Sequence, residues 1–185
     1  MKKIILLAFI NFLGVIIFIG CASAVRYDGP YEGRVIDADT GQPIEGVVVL
    51  GVWNKEYPTP GGAVHEFYDA RETVTDKNGE FSIPGMGLEI LSNVTPMDVL
   101  IFKTGYRYLE STWRGLKVDI LLSKKIKWEG NKAIIPLKKL TMEERKKQGT
   151  PSFPSEAYKE KKMPLFIKEI NKEEEYFGRQ PYLEK

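Results

Sequence analysis

The sequence is poor in the residues that most catalytic and metal sites require. Its 185 residues contain one cysteine, Cys21, and one histidine, His65. A single cysteine excludes an intramolecular disulfide and a cysteine-based zinc cluster, and a single histidine excludes multi-histidine metal sites and two-histidine mechanisms. The formal net charge of +2 is too small to indicate nucleic acid. We therefore predict a protein that is not an enzyme and has no metal, cofactor or nucleic-acid partner.

Fragments that resemble catalytic or metal motifs are incomplete. His65 and Glu66 begin like a zinc-protease helix, but Asp69 stands where the second histidine is required. Residues 76–79 resemble part of a calcium loop, yet Gly85 would have to serve as its last side-chain ligand. The sequence has no GxSxG nucleophile motif and no glycine-rich phosphate loop. These fragments predict turns and loops rather than sites.

The first twenty residues are typical of a bacterial export signal. A short basic start at Lys2 and Lys3 precedes an apolar run over residues 4–19. A glycine and Cys21 follow the run, and this ending resembles the lipobox of bacterial lipoproteins. The resemblance implies that residues 1–20 are a lipoprotein signal peptide, and that a diacylglycerol on the Cys21 sulfur anchors the chain to a membrane.

Two other interpretations of this segment are open. Residues 22–24 form an A-x-A pattern that an ordinary signal peptidase would cleave, releasing a chain that begins at Val25. Alternatively, residues 4–25 approach the ~20 residues of a membrane-spanning helix and would stay as an uncleaved anchor. The lipoprotein signal and these two alternatives all place the remaining chain outside the cytoplasm, because the basic start favours a cytoplasmic N-terminus. Ala22 lacks the aspartate that retains some lipoproteins at the inner membrane, so we expect the outer membrane.

Short β-runs separated by turns begin at Tyr31, after a predicted tether over residues 21–30. The run over residues 46–53 is rich in β-branched side chains, as in a buried strand. We predict strands at residues 33–36, 46–53, 67–75, 80–83, 99–102, 118–122 and 133–137. Residues 54–64 are predicted to be a loop, and residues 84–96 an irregular connection. The spacing of about seven short strands indicates a mainly β fold, an antiparallel sandwich.

Three motifs in this region resemble those of carboxypeptidase regulatory-like domains. Residues 33–37 and 40–49 look like their opening, residues 73–83 contain their threonine, DxxG turn and phenylalanine, and residues 105–106 match their Gly-Tyr pair. The resemblance implies a transthyretin-like, Ig-like sandwich over residues 31–123. Metallocarboxypeptidases with such a domain hold zinc in a separate catalytic domain, and transthyretin-like hydroxyisourate hydrolases need several histidines. The resemblance therefore implies a non-catalytic module.

Charge is distributed unevenly along the chain. Residues 21–113 carry 7 basic and 14 acidic side chains, a net of −7, whereas residues 114–147 carry 11 and 4, a net of +7. Residues 124–140 are thus a basic segment that includes the final strand. The segment either neutralises the acidic sandwich or presents a basic face to anionic lipid head groups or polysaccharide. The lysines of this face are Lys124, Lys125, Lys127, Lys138 and Lys139.

The tail, residues 141–185, is predicted to be helical. Thr141 and Glu144 have the spacing of a capping box, and Gly149 would end the short helix that begins there. A second helix is predicted over residues 164–177. We expect its apolar stripe to dock on the sandwich rather than on a partner, and the stripe consists of Leu165, Phe166, Ile170 and Phe177.

Aromatic residues are the remaining candidates for a ligand site. Exposed rings stack on sugar faces, whereas buried rings fill a β-sandwich core. The candidates are Trp53, Tyr57, Phe67, Tyr68 and Trp113. Taken together, the sequence predicts a non-catalytic cell-envelope lipoprotein whose sandwich is a binding or assembly module for an envelope protein or a glycan. The alternative is a carbohydrate-binding accessory protein that uses the aromatics, and an enzyme is a more distant one.

Overall fold

The computed structural model describes residues 25–119, 121 and 124–182. The predicted signal segment and Cys21 lie outside the described residues. The strands are β1 (Val25–Asp28), β2 (Tyr31–Asp37), β3 (Val48–Thr59), β4 (Gly62–Val74), β5 (Glu80–Ile83), β6 (Gly87–Ile90), β7 (Asp98–Phe102), β8 (Leu109–Thr112), β9 (Lys127–Glu129) and β10 (Lys132–Leu137). The helices are α1 (Gly115–Val118), α2 (Met142–Gln148), α3 (Ser155–Lys159) and α4 (Pro164–Tyr176).

The strands form two four-stranded sheets and a two-stranded ribbon. Sheet I has the order β5-β2-β10-β9, sheet II has the order β4-β3-β7-β8, and β1 pairs with β6 in the ribbon. The prediction of a mainly β sandwich with a C-terminal helical extension is confirmed. The structure differs from the predicted antiparallel arrangement in one pairing. Strand β10 lies between β2 and β9 in sheet I and runs parallel to β2, with Lys132 opposite Glu32.

The core between the sheets follows the alternation of the strands. In β2 and β10 every second residue is buried, as expected where one face of a strand meets a core. In β3 all six residues from Val48 to Trp53 are buried. Odd positions such as Val49 belong to the cluster between the sheets, and even positions such as Leu50 belong to a second cluster on the outer face of sheet II. The β-branched run is therefore covered on both faces.

Helix α4 docks on the sandwich as predicted, and the face that it covers is the outer face of sheet II. Phe166, Ile167 and Ile170 are buried there with Leu100 and Phe102 of β7. Neither α4 nor any other helix in the described part of the chain is long and apolar enough to cross a membrane.

The predicted stripe of α4 is only partly buried. Phe166 and Ile170 make the contact, whereas Leu165 is exposed and Phe177 is half-buried beyond the helix end. The capping box of α2 is confirmed, because Glu144 N donates to Thr141 Oγ1 over 3.3 Å and Thr141 N donates to Glu144 Oε2 over 3.0 Å.

The prediction that residues 54–64 form a loop is wrong. Strands β3 and β4 continue through this segment as a hairpin arm, with Lys55 opposite Glu66 and Thr59 opposite Gly62. Proline is tolerated at Pro58 because β7 pairs with β3 only as far as Val52, so the far edge of β3 has no strand ladder at that point. The turn of the hairpin is confined to residues 60–61.

Two further local predictions are wrong for identifiable reasons. The segment predicted as a strand at residues 118–122 begins with the last residue of α1, a single helical turn that starts at Gly115; residues 120 and 122 lie outside the described part. Residues 84–96, predicted to be irregular, contain β6, whose partner strand β1 lies in the predicted tether. Two short strands, β8 and β9, were also missed, since each has a single apolar residue among polar and charged ones.

Candidate functional site

A surface groove opens where sheets I and II meet along one side of the sandwich. Its volume is about 570 Å³. The walls come from the turn after β2, from the chain that leads into β8, and from the end of β10. We call it the edge groove, and it is lined by Ala38, Asp39, Arg107, Tyr108, Leu109, Glu110, Lys125, Pro136, Leu137 and Lys138.

Backbone hydrogen bonds hold the walls of the edge groove in place. Arg107 N donates to Lys138 O over 2.8 Å, which fixes the chain before β8 against the end of β10. On the other side Ala38 N donates to Leu137 O over 2.9 Å. Because these bonds join main-chain atoms of separate elements, the groove is preformed, which is common in binding sites.

The floor of the edge groove is apolar and its rim is charged. Leu137 is buried, and Tyr108 and Leu109 are half-buried. The exposed rim residues carry both signs: Asp39, Arg107, Glu110 and Lys125. Within the described residues, neither Arg107 nor Lys125 has a carboxylate within ion-pair distance. Their charges are therefore available to a ligand.

One lysine of the groove is already neutralised. Lys138 Nζ lies 2.7 Å from Glu144 Oε1. This hydrogen bond, together with the one from the Thr141 backbone, lowers the pKa of Glu144 to about 2. At neutral pH Lys138 thus serves to tie β10 to α2, rather than adding a free positive charge to the groove.

The edge groove continues toward α2. A second hollow of about 430 Å³ shares Arg107 and Tyr108 with it and is closed by Glu144, Lys147 and Gln148. The Gln148 side chain donates to Tyr106 O over 3.3 Å, which holds the end of α2 against the chain before β8. Together the two hollows make an elongated channel along the side of the sandwich.

Two strand edges border the edge groove. β8 pairs with β7 on one side, and no described strand pairs with its other side. β9 pairs with β10 only at residues 132–134, so residues 135–137 have no neighbour from β9. The free side of β8 presents backbone N–H and C=O groups that can pair with an extended polypeptide. The free stretch of β10 contains Pro136, which has no N–H to donate.

The opposite end of β8 borders a more acidic site. Two adjoining hollows of about 360 and 330 Å³ share Asn54, Asp98 and Thr112. Asn54 Nδ2 donates to Asp98 Oδ2 over 3.2 Å. Burial raises the pKa of Asp98, and the charge of nearby Glu110 raises it further, while His65 acts in the other direction.

The acidic site is built around the hydrogen-bonded pair of Asn54 and Asp98. His65 lines one hollow from the exposed hairpin arm. Across residues 25–119, 121 and 124–182, no three or more histidine, cysteine, aspartate or glutamate side chains are placed to hold a metal ion. The amide of Asn54 keeps Asp98 in position beside the irregularity between Trp53 and Asn54.

Two of the five candidate aromatics belong to the core region. Trp53 is fully buried between the sheets, so its ring is not accessible to a sugar, and this part of the aromatic prediction is corrected. Its Nε1 donates to Asp28 Oδ2 over 2.8 Å. Trp113 is half-buried and packs edge-on against Tyr31 at 5.3 Å and Trp128 at 5.7 Å between ring centroids.

The other three aromatics lie on β4 and the hairpin arm. Phe67 is half-buried and packs against the cluster under α4. Tyr57 and Tyr68 are each 40% exposed. Lys55 Nζ lies 4.4 Å from the centroid of the Tyr68 ring. Tyr57 and Tyr68 are therefore the predicted ligand aromatics that are accessible.

The predicted basic lysines are divided among several elements. All five are exposed. Lys125 and Lys138 line the edge groove, and Lys127 lies on the edge strand β9. The backbone of Lys139 forms an isolated antiparallel β-bridge with that of Tyr106. Lys124 precedes these lysines on the chain between α1 and β9.

Sequence reasoning missed a buried carboxylate that organises the N-terminal part. Asp28, assigned to the tether, is 3% exposed. It accepts hydrogen bonds from Trp53 Nε1, from the Tyr31 hydroxyl and, over 2.9 Å, from Met86 N. Burial and the adjacent carboxylate raise the pKa of Tyr31. No spacing pattern links these positions, so only the folded chain reveals them.

Comparisons with known proteins give little to add to the geometry. No protein-family model matches the chain, and no curated protein matches it. Among solved structures the chain is similar to 3-chlorocatechol 1,2-dioxygenase from Rhodococcus opacus 1CP, with 18% sequence identity and a TM-score of 0.33. The match covers 62% of this chain and 62% of the dioxygenase chain, so it spans less than two thirds of that enzyme.

Proposed function

We propose that the chain is a non-catalytic lipoprotein of a bacterial cell envelope, whose sandwich binds a protein partner through the edge groove. The observation that carries the proposal is the combination of an apolar floor, a rim of both charge signs and the open edge of β8 in one preformed channel. An extended polypeptide matches all three features, because its backbone pairs with the open strand edge while its side chains contact floor and rim.

The location rests on the sequence. The basic start, the apolar run over residues 4–19 and the cysteine that follows it resemble a lipoprotein signal. Residues 22–24 favour the same side of the membrane, because ordinary cleavage there would also export the chain. The lipid on Cys21, the outer membrane and the kinship with carboxypeptidase regulatory-like domains are parts of this proposal.

The non-catalytic role is supported by what the charged side chains do. Several carboxylates with shifted pKa values tie elements together. Glu72 accepts bonds from Leu165 N and Phe166 N at the start of α4, and Glu169 accepts one from Thr104 N. Asp98 accepts from Asn54. These groups are used to build the fold, as ion-pair networks often are.

Site-specific photocrosslinking in the native host tests the groove. A photoreactive phenylalanine analogue at Glu110 lies in the edge groove, and the matched control at Val74 lies on the opposite edge strand, β4. We expect a discrete protein adduct from position 110 that is lost when Arg107→Glu and Lys125→Glu are added. The same adduct from position 74, or an adduct unaffected by the charge reversals, would contradict the proposal.

A carbohydrate-binding role is the second candidate, and one observation favours it. Tyr57 and Tyr68 are both accessible on the hairpin arm, and aromatic faces stack on sugars. Retention on a glycan array that is lost in Tyr57→Ala and Tyr68→Ala, but kept in Glu56→Ala on the same strand, would support this role. A folded protein that binds no glycan on the array would leave the edge groove as the binding surface.

A further inference from the structure

The ribbon of β1 and β6 carries its apolar side chains on the outside. Val25 lies opposite Ile90, and Tyr27 lies opposite Leu88. Directly opposed residues at alternate positions share one face of a strand pair. These four side chains are between 52% and 71% exposed. The outward face of the ribbon, defined by these four residues, is therefore a continuous apolar surface.

The inward face of the same ribbon is polar. Arg26 lies opposite Glu89, and both are half-buried. Arg26 Nη2 donates to Val94 O over 2.8 Å. Asp28 is buried and accepts its three hydrogen bonds from the sandwich. This is the reverse of the usual antiparallel sheet, in which the polar face meets water.

The reversed polarity is held by the fold. Turning the apolar face inward would carry Asp28 out to water and break its bonds to Trp53 and Met86. The fully buried Trp53 Nε1 would then have no acceptor, which is costly. Within the residues that the structure describes, the apolar side chains of the outward face stay largely exposed to solvent. Leu91, which directly follows β6, is a further apolar side chain at this end of the ribbon and is 84% exposed.

The position of the ribbon along the chain indicates what covers it. Val25 stands four residues after Cys21, and the apolar run over residues 4–19 comes just before. Four residues reach at most about 14 Å when fully extended. An anchor at Cys21 would therefore keep Val25, and with it the Val25–Ile90 end of the ribbon, within about that distance of the bilayer surface.

We infer that the outward face of the ribbon lies in the membrane interface, with its aliphatic side chains at the boundary of head groups and acyl chains. The inference rests on the membrane anchor of the proposed function. Tyr27 fits this position, because tyrosine is enriched at membrane interfaces, where its ring is in apolar surroundings and its hydroxyl meets water. The anchor and the ribbon together would orient the sandwich relative to the membrane.

Spin labels on the full, lipid-anchored chain test the inference. Leu88→Cys, Glu89→Cys and Ile90→Cys are labelled one at a time and reconstituted into phosphatidylethanolamine–phosphatidylglycerol vesicles. Val74→Cys is the matched control on an exposed strand position of β4. We expect labels at 88 and 90 to lose collisions with an aqueous nickel chelate and to gain collisions with oxygen. Labels at 89 and 74 should show no such gain in oxygen collisions on reconstitution.

The outcomes separate this inference from the proposed function. A mass spectrum of the Cys21 peptide reports the anchor independently. A lipidated Cys21 with labels 88 and 90 still open to the nickel chelate would overturn the ribbon inference alone. An unmodified Cys21, with labels 88 and 90 shielded on vesicles, would contradict the lipid anchor and keep the ribbon contact. Shielding that occurs without vesicles, together with a dimer by light scattering, would assign the face to a second copy and also overturn the inference.

Discussion

The two faces of sheet II are buried by different chemistry. Its inner face meets sheet I through an apolar cluster, in which Trp53, Ile101 and Ile135 are fully buried. Its outer face meets α4 through a smaller apolar cluster, and charged residues surround this contact. The buried carboxylates of α4 are Glu169, Glu173 and Glu174.

Each buried carboxylate of α4 has a cationic partner. Glu173 forms a two-pronged pair with Arg145 of α2, at 3.0 and 2.7 Å. Glu174 lies 2.6 Å from Arg179. Glu169 bonds to Lys172 at 2.6 Å and lies 3.8 Å from Lys103.

This difference predicts how the stability of the tail and of the sandwich depends on pH and ionic strength. Apolar burial does not depend on side-chain protonation and is not screened by salt, whereas ion pairs weaken with acid and, where they are exposed, with ionic strength. The inter-sheet core should therefore hold under conditions that loosen α2 and α4. Four changes test this contrast, beginning with the largest expected effect.

Trp53→Ala should be the most damaging substitution. It removes a fully buried ring and also one donor to Asp28, so we expect the free energy of unfolding to fall by about 3–5 kcal/mol. Glu56→Ala, on an exposed position of the same strand, should change it by less than about 0.5 kcal/mol. Denaturant titration of both variants gives the comparison, and equal losses would show that Trp53 does not anchor the core.

Glu173→Ala should have the second largest effect and should act on the tail. It leaves Arg145 without its partner at a site where the two side chains are 11% and 6% exposed. Removing one partner of a buried pair costs about 3–5 kcal/mol, and we expect about 2–3 here because Arg145 retains some contact with water. Glu175→Ala, on an exposed position of α4, is the control. Hydrogen exchange should rise in α2 and α4 but not in β10; uniform exchange would refute the contrast.

Glu72→Ala should have a smaller effect at the other end of α4. The Glu72 carboxylate accepts from Leu165 N at 2.7 Å and from Phe166 N at 2.9 Å, as a helix cap does. Loss of a cap costs about 0.5–2 kcal/mol. Glu66→Ala, an exposed glutamate of the same strand, should have little effect. If the two variants melt at the same temperature, Glu72 does not cap α4.

Acid should loosen α2 before the core. Lys138 and the Thr141 backbone lower the pKa of Glu144 to about 2. Because the folded pKa is below the unfolded value, the stabilisation is present above the unfolded pKa and is lost as pH falls through about 2. Amide shifts of Thr141 and Glu144 followed by NMR should move in this acid range in the wild type. A titration midpoint near 4.3, the ordinary value for glutamate, would contradict this coupling.

The sequence predicted those parts of the fold that depend on local pattern. Strand alternation, the β-branched run into Trp53 and the capping box at Thr141 each depend on neighbours a few residues apart. The hairpin arm at residues 54–64 was missed because its glycines and prolines indicate a loop, while its cross-strand pairing sustains strands. The ribbon was missed because β1 and β6 lie about 60 residues apart and each has four residues.

The candidate site was less predictable than the fold. Lys125 and Lys138 were identified by composition, but Arg107 and Glu110 were not, because the groove forms only when β10 enters sheet I beside β2. Trp53 was a candidate ligand residue by residue type, but it faces the cluster between the sheets, where Asp28 accepts its N–H. Long-range juxtapositions of this kind leave no spacing signal in a single sequence.

The most direct test of the account is the mass of the N-terminal peptide of the protein purified from native membranes. We predict that the chain begins at Cys21 and carries a diacylglyceryl group on its sulfur. A chain that begins unmodified at Val25, or one that retains residues 1–20 with a free Cys21 thiol, would contradict the central claim that this is a lipid-anchored envelope module.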